Sequence, residues 1–297
     1  MSWLSLPRRL RARGVLGMNA RNSGPILVHN PRALYPLVDD KLRFLELCRR
    51  VGVPTPEVYA VFDRHGDLRH LGDVLAACPD CAIKPARGSS GRGIVLLTGA
   101  AVGGYRRHNG STATLPELHR HVSDVLSGLY SLGDRPDRAI VQQRLRTHPT
   151  FERLSPRGTP DVRVIVYRGE PALTMLRLPT RESGGRANLH QGGVGVGIDM
   201  RSGRTTRAVW HRRAVTRHPD TGEPLAGRAI PDWPAVLTVA RTVARATGLG
   251  FVGVDVVPDD AGPVVLEANA RPGLAIQSAT GVGLQRVLEE IDARMKW

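Results

Sequence analysis

Lysine stands at only three positions of this chain, Lys41, Lys84 and Lys296, among 42 basic residues. An arginine-rich composition supplies most surface cations without distinction, so a lysine kept against it marks a place that needs a compact ammonium. A point charge on a flexible stem fits beside a single phosphate oxygen where a planar guanidinium fork does not. Lys296 lies one residue from the end and carries no such expectation. Lys84 ends an apolar run and is followed by Gly88, Ser89, Ser90, Gly91 and Gly93 in IKPARGSSGRGIVLL. Glycines let the backbone approach a ligand closely, and successive N–H groups in such a turn form a concavity suited to phosphate. No Gly-Lys-Ser/Thr follows, and a strand stands where a Walker A loop has its helix. The lysine also precedes the glycines, the reverse of the protein-kinase order. Taken alone, the segment is equally a flexible hairpin.

A second constellation lies near the C-terminus, in FVGVDVVPDDAGPVVLEANARPGL. Asp255 follows alternating apolar positions, and Glu267 and Asn269, two apart on the next strand, point to one face. Paired strands bring Asp255 beside them, and the three oxygen donors suit a hard cation such as Mg²⁺, which takes few protein carboxylates and leaves nucleotide phosphates to complete its shell. The other reading is of edge-strand acids in solvent. The valine runs around them argue for a buried setting, where an unpaired acid is costly.

Several elements must hold these residues. Leu42, Leu45 and Cys48 recur at helical spacing from Asp39 or Asp40, which cap the start, to Gly52, Pro54 and Pro56. Strands are expected at 58–62, 82–84 and 94–97, a turn at 63–67 and an amphipathic helix at 116–132. Strands at 139–143, 162–167, 172–178, 251–257 and 264–267 and a helix at 233–247 closed by Gly248 follow. Strands fall in groups instead of alternating with helices, so an α+β class with antiparallel sheets is expected. The expected division is a basic N-terminal arm at 1–38, a first lobe at 39–138 and a second at 139–297. The 297 residues, 41% hydrophobic, suffice for a core, and no apolar run reaches the length of a membrane span. Arginines interrupt the place of a signal-peptide core, and three cysteines cannot pair completely, so a reducing cytoplasm is expected.

The strings DDKLRFLELCRRVGVPTPEVY, AIKPARGSSGRGIVLL, AIVQQRL, DVRVIVYRGEP, GRANLHQGGVG, GVDVV and LEANARPGL occur in the order used by the ATP-grasp superfamily. Within it, MNARN, NPRALYPLVDDK, MLRLPTRESGGRANLHQGGVGVGID, HPDTG and LEANARPGLAIQ most resemble the α-L-glutamate ligase-like, sugar-transfer associated proteins, from about Met18 to Leu288. The resemblance implies an ATP-grasp fold of two lobes, each an antiparallel sheet with helices, holding the nucleotide between them. It implies that Lys41, Lys84 and the Gly88 to Gly93 loop contact ATP phosphates, and that the strand carrying Gln142, Gln143 and Leu145 contacts adenine. Asp255, Glu267 and Asn269 would hold Mg²⁺, with Mn²⁺ as a substitute, and Asp161, Arg163, Arg177 and Asn188 would face the acyl-transfer centre. The implied reaction passes the γ-phosphoryl to a carboxylate and lets an amine attack the acyl phosphate, attaching an amino acid such as glutamate to an acidic or peptide acceptor. Two departures stand out: Gln142 and Gln143 occupy a segment where such ligases often place glutamate, and Lys41 comes too early for a full preceding N-terminal domain.

Other features are read more plainly. Cys78 and Cys81 form CPDC, but a zinc site needs further ligands and only Cys48 remains. His190 is either a proton shuttle or a loop hydrogen-bond partner. Trp3 and the following arginines read as an arm on the domain, with a peripheral membrane contact as the alternative. The formal charge of +15 and the run Arg201, Arg204, Arg207, Arg212, Arg213 and Arg217 raise nucleic acid as a partner. No nucleic-acid motif accompanies them, and an acidic small substrate explains the charge equally well. Two rival functions stay open: a basic binding protein for nucleic acid or an acidic partner with a degenerate nucleotide site, and an ATP-grasp kinase.

Overall fold

The computed structural model describes residues 6–88, 91–131, 135–155 and 158–295. The chain divides into two compact units, one of Asp40–Leu42 and Thr55–Arg146, the other of Met1–Asp39, Arg43–Pro54 and Thr147–Trp297.

The smaller unit is a six-stranded antiparallel sheet of β1 (Val58–Phe62), β2 (Asp80–Pro85), β3 (Val95–Ala101), β4 (Gly104–Arg107), β5 (Thr112–Ala113) and β6 (Ala139–Gln143), in the order β1-β6-β2-β3-β4-β5. Its alternating residues decide its faces. Cys81, Ile83, Leu97, Ala139 and Val141 pack with Leu71 and Leu75 of helix Leu71–Ala77 and with Leu118, Val122 and Val125 of helix Leu115–Leu126. Ala82, Lys84, Ile140 and Gln142 therefore share the opposite face, with Lys84 opposite Ile140 and Ala82 opposite Gln142. Helix Leu115–Leu126 starts on a capping box in which Glu117 N–H donates to Thr114 Oγ1 and Thr114 N–H donates to the Glu117 carboxylate. It stops six residues short of the expected end because Gly128 turns the chain at φ +88°. The strand at 139–143, expected to open the second lobe, lies inside this sheet between β1 and β2.

The larger unit is a seven-stranded antiparallel sheet of β7 (Asp161–Tyr167), β8 (Glu170–Leu178), β9 (Val194–Ile198), β10 (Thr205–Trp210), β11 (Arg213–Val215), β12 (Phe251–Asp259) and β13 (Gly262–Asn269), ordered β11-β10-β9-β8-β7-β12-β13. One face, with Val162, Val164, Leu176, Val252, Val254 and Val256, buries against helix Trp233–Thr247 and against Phe44 and Cys48. The other face carries Ile165, Met175 and Phe251, covered by Leu284, Leu288 and Ile291 of helix Leu284–Arg294 and by Ile276. The segment read as an arm has short helices from Leu6 onward, and Leu16 and Ile26 enter this second core. Its partners are remote in sequence: Gln277 exchanges hydrogen bonds with both backbone groups of Leu16, and Asn30 Nδ2 donates to the carbonyls of Phe251 and Ala270. Local periodicity cannot reveal such anchoring. Trp3 and Lys296 lie outside the described residues.

Candidate active site

The apolar side of the seven-stranded sheet changes to charge at one end. Along β7, Tyr167 and Ile165 give way to Arg163 and Asp161 at period two. On β8, Leu173 and Met175 give way to Arg177, and β12 carries Asp255 on the same side as Phe251. Register then pairs opposite charges across the sheet at two places, Asp161 opposite Arg177 and Arg163 opposite Asp255, while on its other side Asp255 lies opposite a second acid, Glu267. Directly opposed strand residues are the closest neighbours a sheet offers, and opposite charges there are favourable. A register shift between Asp255 and Val256 matters to this row. It takes up an extra residue on β13, so that Val265 faces the core opposite Val256 while Glu267 faces Asp255. Bulges beside active sites re-aim side chains in this way.

The side chains close into a network. Arg163 donates Nε to Asp255 Oδ1 at 2.7 Å and Nη2 to Oδ2 at 2.6 Å. Arg177 forks onto Asp161 through Nε and Nη2, and its Nη2 lies 2.8 Å from Asp255 Oδ2. Burial opposes the charge on Asp255, but Arg163 and Arg177 outweigh it and hold the carboxyl down to about 2. Burial also acts on Asp161, where the single fork of Arg177 offsets it only partly and the carboxyl is pushed up to about 6. Burial weakens the charge on Arg177 too, and Asp161 and Asp255 more than restore it, raising its affinity for its proton.

The donor set fits a hard dication. Glu267, whose side chain also interacts with that of Asp255, accepts at Oε1 a long 3.4 Å bond from Asn269 Nδ2, and Asp255 Oδ1 accepts one N–H from Arg163, so these oxygens keep acceptor capacity. Three carboxylates, Asp161, Asp255 and Glu267, face two guanidiniums, which leaves the row one positive charge short. Among the described residues, no group of three or more His, Cys, Asp or Glu side chains is placed to hold a metal. The set in question has two carboxylates and an amide, and magnesium, which takes few protein carboxylates, needs no more. Cys78 and Cys81 are free thiols.

Asn188, expected at the acyl-transfer centre, is occupied locally: its Oδ1 accepts the His190 backbone N–H at 3.0 Å and its carbonyl accepts the Gly193 N–H at 2.9 Å. His190 itself is exposed. The arginine run from Arg201 to Arg217 is exposed as well, with Arg204 and Arg217 donating to the carbonyls of Gly227 and Gly222 in neighbouring turns.

In the smaller unit, Lys84 is only 6% exposed on the sheet face away from the helices. Lys41 is tied to the glycine loop twice, by its backbone N–H to the Ala86 carbonyl at 2.9 Å and by Nζ to the Gly88 carbonyl at 2.7 Å. Gly91 and Gly93 adopt φ of +71° and +72°, and a Cβ at Gly93 would stand 2.6 Å from the Tyr130 ring. Only glycine satisfies both demands at Gly93. Ser89 and Ser90 lie outside the described residues. Sequence reading missed the scaffold beneath this loop. Asp40, taken as a helix cap, does accept the Leu42 N–H, but it also receives Arg138 Nη2 at 2.7 Å and Arg87 Nε at 3.3 Å. Asp137 accepts the backbone N–H groups of Arg87 and Arg138. The signal for this was the acid beside a retained lysine.

On β6, Gln143 Oε1 accepts the Glu57 N–H at 3.2 Å, and Leu145 is buried. Gln142 is 3% exposed, and its Oε1 has no partner among the described groups. A buried carbonyl left unsatisfied is costly, and the exocyclic amino group of a nucleobase is a donor that fits it.

The chain is similar to known proteins in sequence and in fold. The family described as sugar-transfer associated ATP-grasp matches residues 20–293. A protein of Trichodesmium erythraeum named probable alpha-L-glutamate ligase is 26% identical over 273 residues, 91% of this chain and 69% of that protein. A protein of the same name from Legionella pneumophila is 24% identical over 262 residues, 86% of this chain and 64% of its own length. The chain thus spans about two thirds of the length of the curated relatives it matches. Among solved structures, D-cycloserine synthetase DcsG aligns with a TM-score of 0.52 at 17% identity, covering 99% of this chain and 81% of that one, a likeness of fold.

Proposed function

The chain belongs to the sugar-transfer associated ATP-grasp family and has the ATP-grasp fold, and from that premise we propose that it is an ATP- and magnesium-dependent carboxylate-amine ligase. The observation that carries this reading is the row Arg177, Asp161, Arg163, Asp255 and Glu267 across β8, β7, β12 and β13. It sets two guanidiniums beside oxygen donors on one buried sheet face, an arrangement suited to a reaction that gathers negative charge.

Phosphoryl transfer demands positioning and neutralisation of spreading charge more than covalent help. Lys41, Lys84 and the backbone N–H groups of the glycine loop would bind the phosphates, and Gln142 Oε1 would accept a hydrogen bond from the base. Glu267, Asn269 and Asp255 would hold the magnesium ion, whose contribution is to offset charge on the phosphate oxygens. In this structure Asn269 donates to Glu267, so holding the ion requires its amide to turn Oδ1 toward it. Arg163 and Arg177 would then steady the carboxylate as it becomes an acyl phosphate and stabilise the oxyanion formed when the amine adds. The names of the curated relatives support glutamate as the amino acid added, and the basic surface supports an acidic or peptide acceptor. Manganese would serve in place of magnesium.

Incubation of the full chain with Mg²⁺, ATP and hydroxylamine across a panel of carboxylates tests the reading. A carboxylate-dependent hydroxamate with release of ADP supports it. A stable phosphorylated product in place of hydroxamate would make the protein a kinase. ATP consumption that no carboxylate stimulates would overturn the ligase assignment.

A further inference from the structure

The two arginines of the charged row are held unequally. Arg163 places both of its described hydrogen bonds, from Nε and Nη2, on Asp255. Arg177 closes its fork on Asp161 and touches Asp255 only through Nη2. Asp255, with a side chain 1% exposed, is therefore already surrounded by cationic donors. A dication cannot join that carboxylate while two guanidiniums stay in place, because like charges crowded in a weakly screening interior repel strongly. One of them must leave, and the geometry says which. Arg163, whose described bonds both go to Asp255, is released from the row on yielding it, whereas Arg177 keeps its bidentate partner Asp161. Asp161 thus has a task other than chemistry, its two oxygens being taken by the Arg177 fork.

We propose that Arg163 is a placeholder for the divalent cation on Asp255, displaced when the cation arrives, and that Asp161 is a positioning residue that keeps Arg177 on the sheet face through that exchange. The released Arg163 fork matches a planar carboxylate or a phosphate, so the protein acquires an arginine for its oxyanionic substrate only once the cation is bound. The order of assembly is cation first, phosphoryl-accepting carboxylate second. This inference rests on the ATP- and magnesium-dependent reading above and adds to it a competition between Arg163 and the ion.

Nitrogen NMR of the arginine Nε–H groups in the full chain, assigned with Arg163→Lys and Arg177→Lys, reads the exchange without turnover. A non-hydrolysable ATP analogue is added in EDTA and then with Mg²⁺. The Arg163 Nε–H signal should shift or lose its exchange protection only in the sample with Mg²⁺, while that of Arg177 persists. In Asp161→Asn the Arg177 signal should broaden as well. Mn²⁺ binding by electron paramagnetic resonance gives a second measure. Arg163→Lys keeps the charge but loses the fork, and should tighten Mn²⁺ about tenfold, within the usual range of coupling between two sites. If mere local charge governed affinity, this variant would equal the wild type, and that equality would overturn the placeholder role. An Arg163 signal unmoved by Mg²⁺ would overturn it too, using no variant in the bound sample. An Arg177 signal that stays protected in Asp161→Asn would remove the positioning role. A wild-type chain that binds neither Mn²⁺ nor its nucleotide complex would instead sink the ligase reading and this inference with it.

Discussion

The two regions that carry charge solve the same problem by opposite means. In the smaller unit, Lys41 is held by carbonyl oxygens of the glycine loop, and the charges of Asp40, Arg87 and Arg138 support that loop from beneath. In the larger unit, guanidinium forks meet carboxylates across paired strands, and almost no solvent reaches them. A loop cation bonded to a backbone carbonyl can exchange that partner for a phosphate at little cost. A buried arginine fork can be exchanged only for something of comparable charge. The first region is thus built to adapt and the second to discriminate.

The largest expected effect comes from breaking the rigid side. Arg177→Met leaves Asp161 without its fork and Asp255 with one partner fewer, and removing one member of a buried ion pair costs about 3–5 kcal/mol. Urea denaturation should show that loss, whereas a shift under 1 kcal/mol would mean the row is far more hydrated than its burial implies. Lys84→Met acts on the adaptable side, and should lower turnover by about 10²–10³, the scale of removing one stabilising donor, while moving the urea midpoint less than Arg177→Met. Gly93→Ala is intermediate: holding a non-glycine residue at positive φ costs about 1–3 kcal/mol, and Tyr130 blocks the added methyl. Thermal melting should register it, together with weaker nucleotide binding. The smallest effect is chemical. Burial pushes the thiols of Cys48 and Cys81 up to about 12, with Cys78 and Asp80 adding to the shift at Cys81. A thiol reagent at mildly alkaline pH should therefore label Cys78 quickly and the other two only in denaturant. Rapid labelling of Cys81 in the native protein would show that the helices covering β2 of the smaller sheet open away from it.

The contrast also explains what the sequence could reveal. Period-two alternation identified β7, β8, β12 and β13, and the spacing of Glu267 and Asn269 put them on one face, because strand geometry is local. The arrest of Arg163 and Arg177 by Asp161 and Asp255 was not legible, since it depends on register between strands and on a bulge in β13 that no periodicity announces. Lys41 and Lys84 stood out by rarity alone. Their supports, Asp137 and Arg138, lie about fifty residues or more away in sequence and left no local trace. The N-terminal segment misled for the same reason, since Leu16 and Ile26 are buried by partners beyond residue 160. Strands β9 to β11 were missed because glycines in VGVGI and turn residues around β10 and β11 dilute the strand pattern.

The ligase reading proposed above requires Lys84 and Glu267 each to contribute to binding of a magnesium-nucleotide complex. Calorimetry of a non-hydrolysable ATP analogue with Mg²⁺, on the wild type, Lys84→Met, Glu267→Gln and the double variant, tests it most directly. Each single change should weaken binding at least about tenfold, and the double should lose less than the sum of the two, as for residues acting on one ligand. Undiminished affinity in either single variant, or a metal-independent isotherm in the wild type, would contradict it.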